Sequence, residues 1–237
     1  MGRWGSTLVV RRQNAQSIAA RPWKGRRWLV LAPHPDDETL GVGALIAQTA
    51  AAGCFAGLVY LTDGSGSHPI QNGRAGRLIS MRKREAARAL RRLAGRRCSA
   101  PFFLGWRDAV PAKAGDAAFD QSCRKLAALC LRLRVDVLAT TAATEPHCDH
   151  AAAANLASAV QSHCRGRVKI AEYIVWGTAP TIRSHHTLIS APILPGLRRK
   201  ALAAHRSQLT AAFGAGFRLS KDKQSMTTRD LLYVRKR

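Results

Sequence analysis

Between Leu29 and Ala47 the chain reads LVLAPHPDDETLGVGALIA, an apolar run, a tight polar turn and then a second apolar stretch at helical spacing. A short unbroken apolar run ended by proline is the mark of a strand buried on both faces, as in parallel sheets covered by helices. The turn carries His34, Asp36, Asp37 and Glu38. Three adjacent acids beside an imidazole stand out in a chain with fourteen acidic residues against thirty-eight basic ones. A second cluster, His147-Cys148-Asp149-His150, follows another apolar run from Val135 to Ala142.

The alternation continues along the chain. Strands are expected over 28–32, 55–62, 101–104, 135–142 and 168–175, separated by helices over 38–51, 74–93, 116–133 and 150–163. An edge strand over 186–193 and a last helix over 195–208 complete the pattern, with the tail the least regular part. This is the βαβ signature of an α/β protein with a mostly parallel sheet, read as one domain over 26–237. Residues 1–25 read as a basic extension, disordered or loosely docked. They hold no acid, and their one apolar run, Leu8 to Val10, is too short for a signal-peptide core. No stretch approaches the roughly eighteen apolar residues of a membrane span. Six cysteines without a CxxC pair imply reduced thiols in a cytoplasmic protein, not a disulfide framework or a cysteine-held zinc.

Seven of the fourteen acids, Asp36, Asp37, Glu38, Asp63, Asp108, Glu145 and Asp149, fall in loops that follow proposed strands. In open parallel sheets the carboxyl ends of the strands line the ligand crevice. Helix capping accounts for two or three of these acids but not for the histidines beside them. His34 and Asp37 sit close enough on one turn to hold an ion, and His150 completes a set of two imidazoles and a carboxylate. Such a set leaves positions open for water and substrate, as catalytic zinc sites do, and non-haem iron uses the same set. Asp36 is then free to act as general base on bound water. His147 is placed to stabilise an oxyanion or protonate a leaving amine, and Asp149 to orient His147 and raise its pKa. Cys148 is expected to pack. Gly41-Val42-Gly43 lacks GxGxxG spacing, and neither a GxSxG elbow nor a Walker loop is present.

At these residues the sequence resembles the PIG-L family, the LmbE-like N-acetylglucosaminyl deacetylases, over roughly 26–208. The first motif stands as Pro33-His34-Pro35-Asp36-Asp37-Glu38 and the second as His147-Cys148-Asp149-His150. The resemblance implies a Rossmann-like three-layer αβα sandwich and one zinc ion per chain, bound by His34, Asp37 and His150. It implies Asp36 as general base and His147 as the residue assisting the oxyanion and leaving group. Arg82-Lys83-Arg84-Glu85 looks like the family's R-x-x-E, which makes Arg82 a candidate substrate contact. Asp108 matches an acid of the loop after the third strand that shapes the sugar site, and 200–208, KALAAHRSQ, is similar to a late family helix. Three features depart from the pattern. Cys148 replaces a proline, Thr144-Glu145-Pro146 and the loop after Asp63 differ, and the C-terminal segment is short and basic.

The expected activity is zinc-dependent removal of an N-acetyl or other N-acyl group from an amino sugar or its conjugate. A net charge of +24 favours an anionic conjugate. The same charge supports a second reading, a nucleic-acid or anionic-surface binding protein on this fold without catalysis. Scattered arginines not interleaved with aromatics argue against specific nucleic-acid recognition.

Overall fold

The structure, a computed structural model, describes residues 14–69, 75–181, 183–211 and 214–236. Eight strands form one sheet: β1 (Gln16–Ser17), β2 (Trp28–Ala32), β3 (Phe55–Thr62), β4 (Phe102–Trp106), β5 (Val137–Thr141), β6 (Lys169–Tyr173), β7 (His185–Ile189) and β8 (Leu231–Arg235). Their order is β1-β7-β8-β6-β5-β2-β3-β4, and every pairing is parallel except those of β8 with β6 and β7. Helices α1 (Asp37–Ala51), α2 (Ala75–Ala94), α5 (Leu197–Leu202) and α6 (Arg206–Leu209) are accompanied by α3 (Ala117–Arg132) and α4 (Cys148–His163).

The strand that anchors this arrangement is β2. Trp28, Val30 and Ala32 point into a core shared with α1, α2 and α5, while Leu29 and Leu31 point into a second core with α3 and α4. Alternate side chains of one strand thus fill two cores, which is why its sequence is apolar throughout. The chain runs from β2 outward to β3 and β4, then returns to place β5 on the other side of β2. The order therefore reverses between β2 and β5, and a crevice opens there at the carboxyl ends of the strands. Both histidine-bearing loops leave the sheet at this point.

The α/β class and the mostly parallel, helix-covered sheet match the expectation, with differences at the ends. Residues 16–23, expected within an extension, pack onto the sheet: Gln16 and Ser17 pair with β7, and Ile18 and Trp23 are buried. Residues 1–13 of that extension lie outside the described residues. The expected last helix is two short helices, α5 and α6. The tail supplies β8, which slots antiparallel between β6 and β7 and has no counterpart in the expected pattern. None of the six cysteines is in a disulfide. Among the described residues no helix is long and apolar enough to cross a membrane.

A kink in α1 explains how β8 is tied in. Val42 leaves helical geometry (φ −137°, ψ 26°), so the backbone N–H groups of the following turn need new acceptors. The carboxylate of Asp230, just before β8, accepts from Leu45 N–H at 2.7 Å and pairs with the Arg198 guanidinium of α5. Gly41 is required nearby, since a Cβ there would lie 2.4 Å from the buried Tyr173 ring. Removing one member of a buried ion pair leaves the other charged and unpaired. Asp230→Ala is therefore expected to lower the unfolding free energy by about 3 kcal/mol or more, read from urea denaturation midpoints.

Candidate active site

The turn after β2 is held by its own backbone. Pro33 C=O accepts from Thr62 N–H (3.1 Å) and Thr62 Oγ1 (3.0 Å), fixing the loop to the end of β3. Asp36 then adopts φ 135°, ψ −29°, as the residue preceding α1. A positive φ of this kind costs a non-glycine residue about 1–3 kcal/mol and persists where surrounding contacts enforce it. The turn folds His34 back over Asp37, whose Oδ2 accepts from His34 N–H at 2.9 Å and lies 3.1 Å from His34 Nδ1.

His150 reaches the same oxygen from the opposite wall. It sits in the first turn of α4, and its Nε2 lies 3.2 Å from Asp37 Oδ2. The three side chains expected to meet do so, around one carboxylate oxygen. One potential ligand atom from each of His34, His147 and His150 also lies within 4.8 Å of the others, so the three imidazoles form a grouping able to hold an ion beside that carboxylate. His150 Nε2 is fully buried and, among the described residues, has no hydrogen-bond partner, because the approach to Asp37 does not meet hydrogen-bond geometry. An orphaned imidazole nitrogen facing a carboxylate is what a cation between them would satisfy.

Each of the two imidazoles has its other nitrogen on a carboxylate. His150 Nδ1 lies 3.1 Å from Glu145 Oε2, and Glu145 in turn accepts from the backbone N–H groups of Val175, Trp176 and Gly177. His34 Nε2 lies 2.9 Å from Asp149 Oδ2 and 3.3 Å from Asp108 Oδ1. Carboxylate partners of this kind fix the tautomer and direction of metal-binding histidines. A second grouping, His34, Asp108, His147 and Asp149, also places one potential ligand atom from each residue within 4.8 Å of the others. There, however, Asp149 Oδ2 is already taken by His34 and by Ala109 N–H (2.8 Å). Asp37 Oδ2 is likewise engaged, by His34 N–H, and the unsatisfied His150 Nε2 lies 3.2 Å from it.

Burial alone would lower the pKa of His34, but Asp108, Asp149 and Asp37 reverse it and hold the ring well above its usual value. Burial likewise opposes charge on His150, yet Asp37 and Glu145 raise it to about 9. Asp37 is buried too, and the two imidazoles hold it well below the carboxylate range. Asp36 goes the other way: burial first, then the adjacent Asp37, push it up to about 7.

Three expectations need adjustment. Asp149 pulls the pKa of His147 upward as expected, but burial first and then the neighbouring His34 and His150 outweigh it and leave the ring below its usual value. The Asp149 carboxylate is instead engaged with His34, at 3.9 Å from His147 Nδ1, while Asp149 N–H donates to that nitrogen at 3.2 Å. Arg82 is buried and donates to two backbone carbonyls, Gly64 and Pro35, each at 2.8 Å. Its guanidinium braces loops, with Asp108 Oδ2 3.7 Å away. Cys148 is exposed where a packing role was expected. Glu145 reads in the sequence as one of seven loop acids, within a loop that departs from the family pattern, and nothing local shows that it meets His150. Glu145→Gln is expected to weaken divalent-metal binding about ten- to a hundredfold without unfolding the protein, measured by competition with a chromophoric chelator.

Over residues 29–161 the chain matches the model of a family described as PIG-L, GlcNAc-PI de-N-acetylase. No curated protein matches it. Among solved structures, the conserved protein TT1542 from Thermus thermophilus is 27% identical with a TM-score of 0.55, covering 78% of this chain and 81% of that one. N,N'-diacetylchitobiose deacetylase from Pyrococcus horikoshii is 19% identical with a TM-score of 0.61, covering 89% and 81%. Teicoplanin deacetylase Orf2, solved in a zinc-inhibited form, is 16% identical with a TM-score of 0.61, covering 89% and 98%. The last two likenesses establish the shared fold. With the motif-bearing half of its sequence matched and its two histidine loops on one crevice, the chain belongs to the PIG-L family.

Proposed function

We propose that the protein is a zinc-dependent hydrolase that removes an acetyl or related acyl group from the nitrogen of an amino-sugar substrate. Family membership supports N-deacetylation, and two of the structural neighbours are deacetylases by name. The observation that carries the reading is the meeting of His34 Nδ1 and His150 Nε2 at Asp37 Oδ2, with Asp36 next in the chain.

One zinc ion held by His34, Asp37 and His150 would polarise the amide carbonyl and acidify a water molecule. Asp36 takes the proton from that water. A carboxyl titrating near neutrality both accepts the proton and gives it up again to the departing amine, and burial beside Asp37 puts Asp36 there. His147 faces the substrate, with its side chain 40% exposed. Its Nδ1 accepts from Asp149 N–H, so the neutral ring carries its proton on Nε2 and donates to the oxyanion from there. Asp149 serves catalysis through His34 Nε2, holding that ring in the tautomer whose Nδ1 faces the ion. Asp108 shares this task and borders the sugar site.

The substrate is an N-acylated amino sugar or its conjugate. The single acid of α2, Glu85, is buried, so the exposed face of that helix carries Arg77, Lys83, Arg84, Arg88, Arg91 and Arg92 without a compensating charge. Such a face favours an anionic conjugate. Unpaired cysteines fit a reducing compartment, and we place the protein in the cytoplasm.

Purified protein is expected to contain one equivalent of zinc by elemental analysis. Chelation should abolish deacetylation of a panel of acetylated amino sugars, and zinc should restore it. Asp36→Asn should cut kcat by roughly a hundred- to ten-thousandfold with zinc content retained. Undiminished turnover in that variant would remove Asp36 from the mechanism. Salt-sensitive DNA binding by a metal-free, inactive protein would favour the binding-protein reading instead.

A further inference from the structure

The peptide unit joining Pro35 to Asp36 is gripped at both of its polar atoms. Its C=O accepts from Arg82 Nη2 at 2.8 Å, and its N–H donates to Glu38 Oε2 at 3.0 Å. On the far side of Asp36 the backbone is also fixed, since Asp36 C=O accepts from Thr39 N–H and Leu40 N–H, both at 3.0 Å. The rotation that gives Asp36 its φ of 135° lies between these two fixed units.

The gripping side chains are themselves anchored by chain far away in sequence. Glu38 is fully buried, and its Oε1 accepts from Thr39 Oγ1 (2.5 Å) and lies 3.1 Å from His205 Nε2. Two residues on, Ser207 donates through its N–H (2.9 Å) and its hydroxyl (2.6 Å) to Glu85, one helical turn beyond Arg82 on α2. Segment 205–207 thus ties down Glu38 directly and the helix bearing Arg82 indirectly. A glutamate reaching back to the N–H at a helix start is also a common capping device. Capping alone, however, calls for neither a buried histidine partner nor a guanidinium on the other end of the same peptide.

We propose that Arg82 and Glu38 form a clamp on the Pro35–Asp36 peptide, anchored by His205, that aims the Asp36 carboxylate at the reacting water. They are positioning residues, acting through Asp36. Arg82 is thereby assigned to the turn and not to the substrate. The proposal rests on the role given to Asp36 above.

The test uses full-length, zinc-loaded protein and an acetylated amino sugar that the wild type hydrolyses. Glu38→Ala and Arg82→Lys should each lower kcat by about thirtyfold or more, with KM within about threefold and zinc content unchanged. Glu38→Gln keeps an acceptor oxygen and should recover most of the loss. In an Asp36→Asn background the same substitutions should cost less than about twofold, because residues acting through one group are not additive. Equal losses in both backgrounds, or full kcat in Glu38→Ala, overturn the clamp. If Glu38→Ala does not fold, Arg82→Lys and His205→Gln decide by the same comparison. Amide hydrogen exchange of metal-free protein gives a readout independent of turnover: Glu38→Ala, or His205→Gln in its place, should speed exchange at Asp36 about tenfold relative to Thr62. Unchanged exchange overturns the clamp even if the wild type hydrolyses no amino sugar, an outcome that would itself sink the functional reading.

Discussion

Six carboxylates, Asp36, Asp37, Glu38, Asp108, Glu145 and Asp149, are buried at the carboxyl ends of the strands. Carboxylates out of water stay charged only beside cations or donors. Asp37 has His34 and His150, Glu38 has His205, Glu145 has His150 and three backbone N–H groups, Asp149 has His34, and Asp108 has His34 and Arg82. Among the described residues Asp36 is the member without a close cationic partner of its own, and it is the one whose pKa is pushed up to about 7. The group we propose as the proton acceptor is thus distinguished from its neighbours by what surrounds it. All six share one residue chemistry.

Much of this was legible in the sequence because the relevant signals are local. The strand at 28–32 is apolar throughout since it fills two cores, and its loop carries the His34 and Asp37 pair within a single turn. The second cluster begins a helix, so His150 points back into the crevice. What the sequence did not disclose depends on contacts between distant segments. The strand β8 is five residues long and takes its place from Asp230 meeting a kink in α1. Arg82 reads as a substrate contact on a basic helix until its two carbonyl partners are seen. Asp149 was paired with its neighbour His147 because they are close in sequence, whereas the fold turns its carboxylate toward His34.

The family match ends at residue 161, yet the later chain is not peripheral to the crevice. His205 and Ser207 reach the turn and the helix that shape it, and Asp230 and Arg198 secure the kinked helix that begins at Asp37. The first part of the chain contributes the clustered histidines and carboxylates, and the last part contributes much of their rigidity. This division fits the proposed chemistry, which depends on a site held close to one geometry.

The grip of Glu145 on successive amides at 175, 176 and 177 has a consequence for how this scaffold can diverge. That tripeptide is the exit from β6, and its register is locked to the imidazole at 150 through one carboxylate. An insertion of even one residue between β6 and Gly177 would shift those amides off the carboxylate and drag the histidine out of line.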